Sequence, residues 1–208
     1  MKKTIFILAA LAVSLMFTAC AQNGKTQRQN EQTMNTEKKV LVVFFSHTGE
    51  NYGVGYITKG NTHIVAEMIA NTTNGTLFEI APVQAYPDKD YNACVETAKK
   101  EKESGARPEI KADIAVEDYD VIFIGYPNWW GDMPMPVYTF IEKHDWQGKT
   151  VIPFCTHEGS GLSDTERYIA AACKGSTVGK GLAMQGTTAQ KHQEQALKAV
   201  QKWLENAL

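Results

Sequence analysis

The 208-residue sequence contains only four cysteines, and none of them is paired by spacing. Cys20 belongs to the N-terminal segment. The remaining Cys94, Cys155 and Cys173 show no C-x-x-C pattern, and an odd count argues against a complete disulfide framework. They are expected to be buried structural thiols. Charge of one sign is also missing, since 21 Lys and Arg stand against 23 Asp and Glu. A net charge of −2 excludes a broad basic surface, and with it a nucleic-acid partner. The five histidines, His47, His63, His144, His157 and His192, have no H-E-x-x-H or related spacing, so no metal centre is expected. Ser46, Ser160 and Ser163 lie outside any G-x-S-x-G elbow, which removes support for hydrolase chemistry. Gly53-x-Gly55 fails as a dinucleotide fingerprint because its next glycine, Gly60, comes too late.

A long apolar run is lacking as well, but a short one is present. Lys2 and Lys3 precede the apolar stretch from Thr4 to Phe17, which has the length of a signal h-region. It ends at Phe17-Thr18-Ala19-Cys20, which resembles a lipobox and implies lipidation of Cys20. Ala19-Cys20-Ala21 also reads as a cleavage site for ordinary signal peptidase. Residues 20–37 are rich in Gln, Asn, Thr and Lys, with Met34 as the sole large hydrophobe. Such a segment cannot bury enough surface to order itself and reads as a tether. The expected organisation is a signal peptide over 1–19, a tether over 20–37 and one domain over 38–208. The expected location is outside the cytoplasm, held by lipid to a bacterial envelope membrane, with no other membrane contact.

From Lys38 onward, short β-branched or aromatic runs alternate with helical periods. Val40–Phe45, Thr76–Ile80, Asp120–Tyr126, Thr150–Cys155 and Lys180–Met184 read as five strands. The first and third are apolar without alternation, as strands covered on both faces should be. Pro153 is awkward within the fourth. Helices are expected around Ile64–Ile69, over Tyr91–Ser104, Val137–Lys143 and Asp164–Lys174, and from Ala189 to Asn206. The alternation predicts an α/β domain with a doubly wound parallel sheet and helices on both faces. Ligands then belong beyond the carboxyl ends of the strands, at the switch point in strand order.

Three loops sit there. The first reads Ser46-His47-Thr48-Gly49, rich in hydroxyls and free of Lys and Arg. Backbone N–H groups, hydroxyls and a helix N-terminus can wrap a phosphate there, although the same residues also make an ordinary cap and turn. The loop after strand three carries Pro127-Asn128-Trp129-Trp130-Gly131. Two adjacent tryptophans suit stacking on a flat ring system; the plainer alternative is that they plug the core. The loop after strand four reads Thr156-His157-Glu158-Gly159-Ser160-Gly161, whose glycines let the backbone approach a ligand edge.

Taken together, these loops resemble those of the flavodoxin family. Its phosphate loop has the form Ser/Thr-x-Thr-Gly-Asn-Thr leading into a helix. Here Ser46-x-Thr48-Gly49 gives the first half and Gly60-Asn61-Thr62 the second, with Glu50–Lys59 inserted between them. Asn61 and Thr62 are preferred to Glu50-Asn51 because they stand at the helix start. Pro-x-Trp-Trp after strand three is a family pattern. His157-Glu158 departs from the family's Thr-Ser-Gly-Gly-Ser-Gly form. The resemblance implies strand order 2-1-3-4-5 and FMN as cofactor. It implies a flavin held by Ser46, His47, Thr48, Gly49, Asn61, Thr62, by residues 127–131 and by residues 156–161. An electron-transfer protein meeting a redox partner protein at the flavin edge is the expected function. An FMN-dependent NAD(P)H oxidoreductase acting on quinones, and a flavin-free scaffold, are the alternatives.

Overall fold

The structure is a computed structural model that describes residues 38–208. The signal peptide, the tether and Cys20 lie outside the described residues.

In chain order the strands are β1 (Val40–Phe44), β2 (Gly49–Asn51), β3 (Gly55–Ile57), β4 (Thr76–Glu79), β5 (Val121–Pro127), β6 (Thr150–His157), β7 (Thr177–Val178) and β8 (Leu182–Gln185). The α-helices are α1 (Asn61–Thr73), α2 (Tyr91–Ser104), α3 (Met135–Ile141), α4 (Thr165–Ala172), α5 (Gly186–Lys191) and α6 (Gln193–Ala207). The main sheet is parallel in the order β4-β1-β5-β6-β7, and β8 also pairs with β6. Counted by the five runs read in the sequence, this is 2-1-3-4-5.

The continuous apolar runs are explained by two cores, one on each side of the sheet. Leu41, Val43 and Phe45 join Ile122, Ile124 and Tyr126 in a core closed by Val137 and Phe140 of α3 and Ile169 of α4. Val42 and Phe44 join Phe123, Ile152 and Phe154 in the other, under Val65 and Ile69 of α1 and Val200 of α6. Alternate residues of one strand therefore face opposite cores, and neither face can be polar. Cys94, Cys155 and Cys173 are free and buried. Burial pushes each thiol up to about 12, so they remain neutral packing groups.

Two details differ from the sequence reading. The fifth strand is split, and the gap between Val178 and Leu182 lies beside Pro153. Thr150 N donates to Asp120 O on the β5 side, whereas Val151 O accepts from Gly179 N on the other side. The same alternation turns Pro153 toward the fifth strand, where its missing N–H interrupts the ladder. The helix expected from Ala189 to Asn206 is two helices, broken at His192, whose φ of −135° and ψ of 52° leave the helical region.

Candidate functional site

The carboxyl ends of β1, β5 and β6 gather the three loops. The first loop meets the start of α1 directly. Gly60 precedes α1 and provides no side-chain cap, and the first turn holds no acidic residue. Ser46 Oγ instead accepts from His63 N at 3.1 Å. A Cβ on Gly60 would lie 2.1 Å from Ser46 Oγ and 2.6 Å from the His47 carbonyl, so only glycine lets the two segments touch. The Glu50–Lys59 segment leaves this junction as an antiparallel hairpin of β2 and β3. Gly49, with φ of +90°, packs against the backbone of Asp88, to whose carbonyl Glu50 N donates at 2.7 Å. Thr62 is buried, and its hydroxyl shares a 2.8 Å hydrogen bond with that of Thr156 at the end of β6. One bond thus fastens the α1 start to the third loop. No Lys or Arg occurs in Ser46–Gly49 or Gly60–Thr62, and Lys59 is paired with Glu67.

The second loop is a tight turn. Trp129 and Asp132 exchange backbone hydrogen bonds of 2.9 and 3.0 Å around Trp130 (φ +57°) and Gly131 (φ +73°). Two consecutive positive φ values make a type I′ turn, which favours small or Asn-like residues at the place Trp130 holds. Asp132 steadies it. Its carboxylate accepts from Met133 N at 2.7 Å and from the Tyr138 hydroxyl at 2.8 Å, with Lys102 Nζ at 3.7 Å. The two tryptophans part company. Trp129 turns inward, edge-to-face with Phe45, His47 and Tyr86 at 5.1–5.7 Å between ring centres. Trp130 stays 49% exposed on the flank of α2, its Nε1 donating to Val95 O and its ring under Lys99.

In the third loop, Asn128 Nδ2 reaches across to Gly161 O at 2.7 Å and Ser163 Oγ at 2.9 Å. His157 Nδ1 accepts from Gly159 N at 2.9 Å. Glu158 is turned toward α5, accepting from Thr187 N at 2.6 Å and from the Thr187 hydroxyl at 2.9 Å. A carboxylate at that helix start satisfies otherwise unbonded N–H groups.

Two adjoining cavities of about 260 Å³ each open here, sharing Asn51, Tyr91, Asn128 and Trp129. One is bounded by Asn61, Pro127, Thr156, His157, Glu158 and Ser160. The other runs along α2, against Tyr91, Cys94, Val95 and Ala98, with His47, Glu50 and Trp130. His47 Nε2, Asn61 Oδ1 and Asn128 Oδ1 are buried without hydrogen-bond partners. Such atoms are costly to leave unmet, and three around one paired cavity indicate that a ligand meets them. Burial holds both His47 and His157 below the usual histidine range, opposed by Asp88 and Glu158 respectively, so both rings are neutral at pH 7.

Of the residues proposed from the sequence, Asn61, Pro127, Asn128, Trp129, Thr156, His157, Glu158 and Ser160 line the first cavity, and His47 and Trp130 the second. Ser46 and Thr62 stand behind the wall, tying loops together. Thr48, Gly49, Gly131, Gly159 and Gly161 line neither cavity; the four glycines take positive φ values that turn the loops. Tyr52 and Tyr91 were missed, and Glu50 and Asn51, set aside in favour of Asn61 and Thr62, line the cavities too. Asn51 and Tyr52 lie in the inserted hairpin, and Tyr91 reaches the site only because α2 packs there.

The family model for flavodoxin matches residues 39–207. The chain belongs to the flavodoxin family. A protein from Bacteroides uniformis assigned as a flavoprotein is 31% identical, covering 81% of this chain and 98% of its own, with a TM-score of 0.65. A second such protein, from Bacteroides eggerthii, is 30% identical over 82% of this chain and 98% of its own, with a TM-score of 0.64. A flavoprotein from Lactobacillus acidophilus, solved in complex with FMN, is 23% identical over 74% of this chain and 97% of its own, at a TM-score of 0.56. The first two are similar in sequence and fold, the third in fold. No curated protein matches the chain.

Proposed function

We propose that this flavodoxin-family domain is an FMN-binding electron carrier, tethered outside the cytoplasm through Cys20. The observation that carries the flavin reading is the pair of buried, unpartnered acceptors, Asn61 Oδ1 and Asn128 Oδ1, in the cavity bounded by all three loops. FMN fits this donor and acceptor set. Its ribityl hydroxyls and ring N–H can donate to those two oxygens, and its phosphate needs the N–H groups of Asn61 and Thr62, which the Ser46 cap on His63 N leaves free at the α1 start. When bound, FMN supplies one- or two-electron redox chemistry at its ring; the protein binds and tunes it.

The chain's own residues divide the work. The backbone of Ser46–Gly49 and the start of α1, at Asn61 and Thr62, hold the phosphate without a fixed cation. Pro127, Asn128 and Thr156 line the sugar-alcohol portion. Trp129, locked by its three aromatic neighbours, offers its indole to the ring. The loop from Thr156 to Gly161 closes the far edge. Glu50 and Glu158 border the paired cavity, and no Lys or Arg does. Negative charge added on reduction is therefore disfavoured, which lowers the potential. A redox partner protein meets the domain at the exposed rim, where Tyr52 is 66% accessible. The lipobox-like Phe17–Cys20 and the polar tether after it support attachment to an envelope membrane.

The test is an absorption spectrum of purified residues 38–208 after adding FMN. A bound, shifted and quenched flavin is expected; a colourless protein refutes the reading. Anaerobic mixing with NADH should bleach the flavin only slowly. Bleaching at catalytic rates would overturn the carrier assignment in favour of an oxidoreductase. For the anchor, Cys20→Ser should release the protein from the membrane fraction.

A further inference from the structure

The inward side of α2 carries Cys94 and Ala98. At helical spacing the same stripe continues to position 101, where an apolar residue is expected and Glu101 stands. Its carboxylate accepts from the Tyr86 hydroxyl, and burial pushes that carboxyl upward against the opposing pull of the bond. Tyr86 is itself buried and meets the Trp129 indole edge-to-face at 5.1 Å between ring centres. Withdrawing a carboxyl group from water costs stability that one hydrogen bond only partly offsets. A residue kept against that cost is expected to serve the site rather than the fold. We propose that Glu101 is a positioning residue for the flavin ring: through Tyr86 it fixes the face that Trp129 presents to the paired cavity. This inference rests on the FMN reading above.

Three contacts make α2 the element that sets this turn. Of the aromatic neighbours of Trp129, Phe45 belongs to the core beside the sheet and His47 to the first loop. Tyr86 differs from both, because its far end is tied to a helix. A tyrosine held at its Cβ and at its hydroxyl keeps its ring edge in one place against the indole. The next residue on α2, Lys102, donates to the Trp130 carbonyl, and Val95 O accepts from Trp130 Nε1 at 3.3 Å. Adjacent Glu101 and Lys102 thus reach adjacent Trp129 and Trp130, the first through Tyr86 and the second directly. The turn needs such outside support, since it holds a tryptophan at φ of +57°, a conformation that residue disfavours. The hydrogen bond, not the charge, does the positioning. A single oxygen of Glu101 accepts the hydroxyl, and the neutral oxygen of a glutamine could accept it equally.

The informative variant removes both ends of the bond. Either single truncation leaves a buried polar group unmet, whereas Tyr86→Phe combined with Glu101→Leu leaves none. The full chain carrying both changes should unfold in urea at or above the wild-type midpoint. It should nevertheless bind FMN about three- to tenfold more weakly in a flavin fluorescence titration. Glu101→Gln, which keeps the acceptor, should stay within about twofold of wild type. On a Trp129→Ala background the double change should weaken FMN no further. In flavin-free protein, the near-ultraviolet circular dichroism band of tryptophan should shrink in the double variant and persist in Glu101→Gln. Wild-type affinity together with a wild-type tryptophan band in the double variant overturns the proposal. So does a lower urea midpoint with affinity intact, the mark of a purely structural pair. If midpoint and affinity both fall, the Trp129→Ala background decides: a further loss of the same size there places the effect elsewhere and refutes the assignment. Equal weakening in Glu101→Gln would make charge the cause and also refute it. If the wild type takes up no FMN, the cofactor reading fails by itself. The tryptophan band of that flavin-free chain still decides whether Glu101 fixes Trp129: loss in the double variant alone supports it, and an unchanged band rejects it.

Discussion

Gly60→Ala tests the junction on which the site depends. Gly60 has φ of −68° and ψ of 153°, an extended conformation that alanine adopts freely. Any effect must therefore come from space, not backbone strain. The added methyl would sit 2.1 Å from Ser46 Oγ and 2.6 Å from the His47 carbonyl, and the second of these is backbone that cannot rotate away. The first loop and the α1 start must separate. Overpacking of this kind costs about 1–3 kcal/mol. For a domain of this size that is a fall in Tm of roughly 2–12 °C. The separation also breaks the 3.1 Å bond from His63 N to Ser46 Oγ and spreads the N–H groups assigned to the phosphate. FMN affinity should fall about tenfold or more, equivalent to about 1.4 kcal/mol. The control is Gly105→Ala, where φ is +63° and no atom lies within 4 Å of the new Cβ. That change imposes backbone strain of about 1–2 kcal/mol at the C-terminal end of α2, away from the Ser46–Gly60 junction, and should leave FMN affinity unchanged. Calorimetry and flavin fluorescence titration on both variants decide the matter. If Gly60→Ala matches the wild type in both Tm and FMN affinity, the loop and helix are not clamped together and the phosphate assignment is wrong.

Trp129→Ala should weaken FMN by about 1–3 kcal/mol if its indole stacks on the ring, a scale borrowed from base–aromatic stacking. Equal affinity for wild type, Trp129→Ala and Trp130→Ala would refute stacking. Thr62→Val keeps the shape but leaves the Thr156 hydroxyl buried without its 2.8 Å partner, so urea unfolding should show a loss of about 1–3 kcal/mol; a neutral result would mean the two segments are joined by other contacts. His47 and His157 resist protonation in the folded protein, so the unfolded chain binds more protons as pH drops below its ordinary value of about 6.5. Their contribution is full above that pH and is lost as pH falls through it. The urea midpoint should drop between pH 7.5 and 5.0, and less steeply in His47→Phe. An equal pH slope in that variant would remove His47 from the account.

Most of the sheet was legible because continuous apolar runs such as Val40–Phe45 and Val121–Tyr126 admit only strands covered on both faces. The loops at their carboxyl ends followed from that order. The break of the fifth strand was half legible: Pro153 announced a defect, but the edge it faces depends on strand alternation within the sheet. The hairpin was not legible. Gly49–Asn51 and Gly55–Ile57 carry little apolar alternation and pair only with each other. The parting of Trp129 and Trp130 was equally hidden, since it arises from two successive positive φ values that a tryptophan does not favour. Tyr91 joins the site through helix packing alone, and no local pattern marks it.

The hairpin that leaves at Gly49 and returns at Gly60 makes the phosphate cradle and the rim separable parts. Its two stems meet where Ser46 and His47 already touch Gly60, so closing the cradle does not depend on what the hairpin contains. Lengthening such a loop costs only about 0.6 kcal/mol per doubling. Tyr52 and Asn51 are thus carried on a replaceable module. Exchanging residues 50–59 would change the mouth, including the side of the hairpin that packs on Glu158, while leaving the Ser46–Gly60 contact in place.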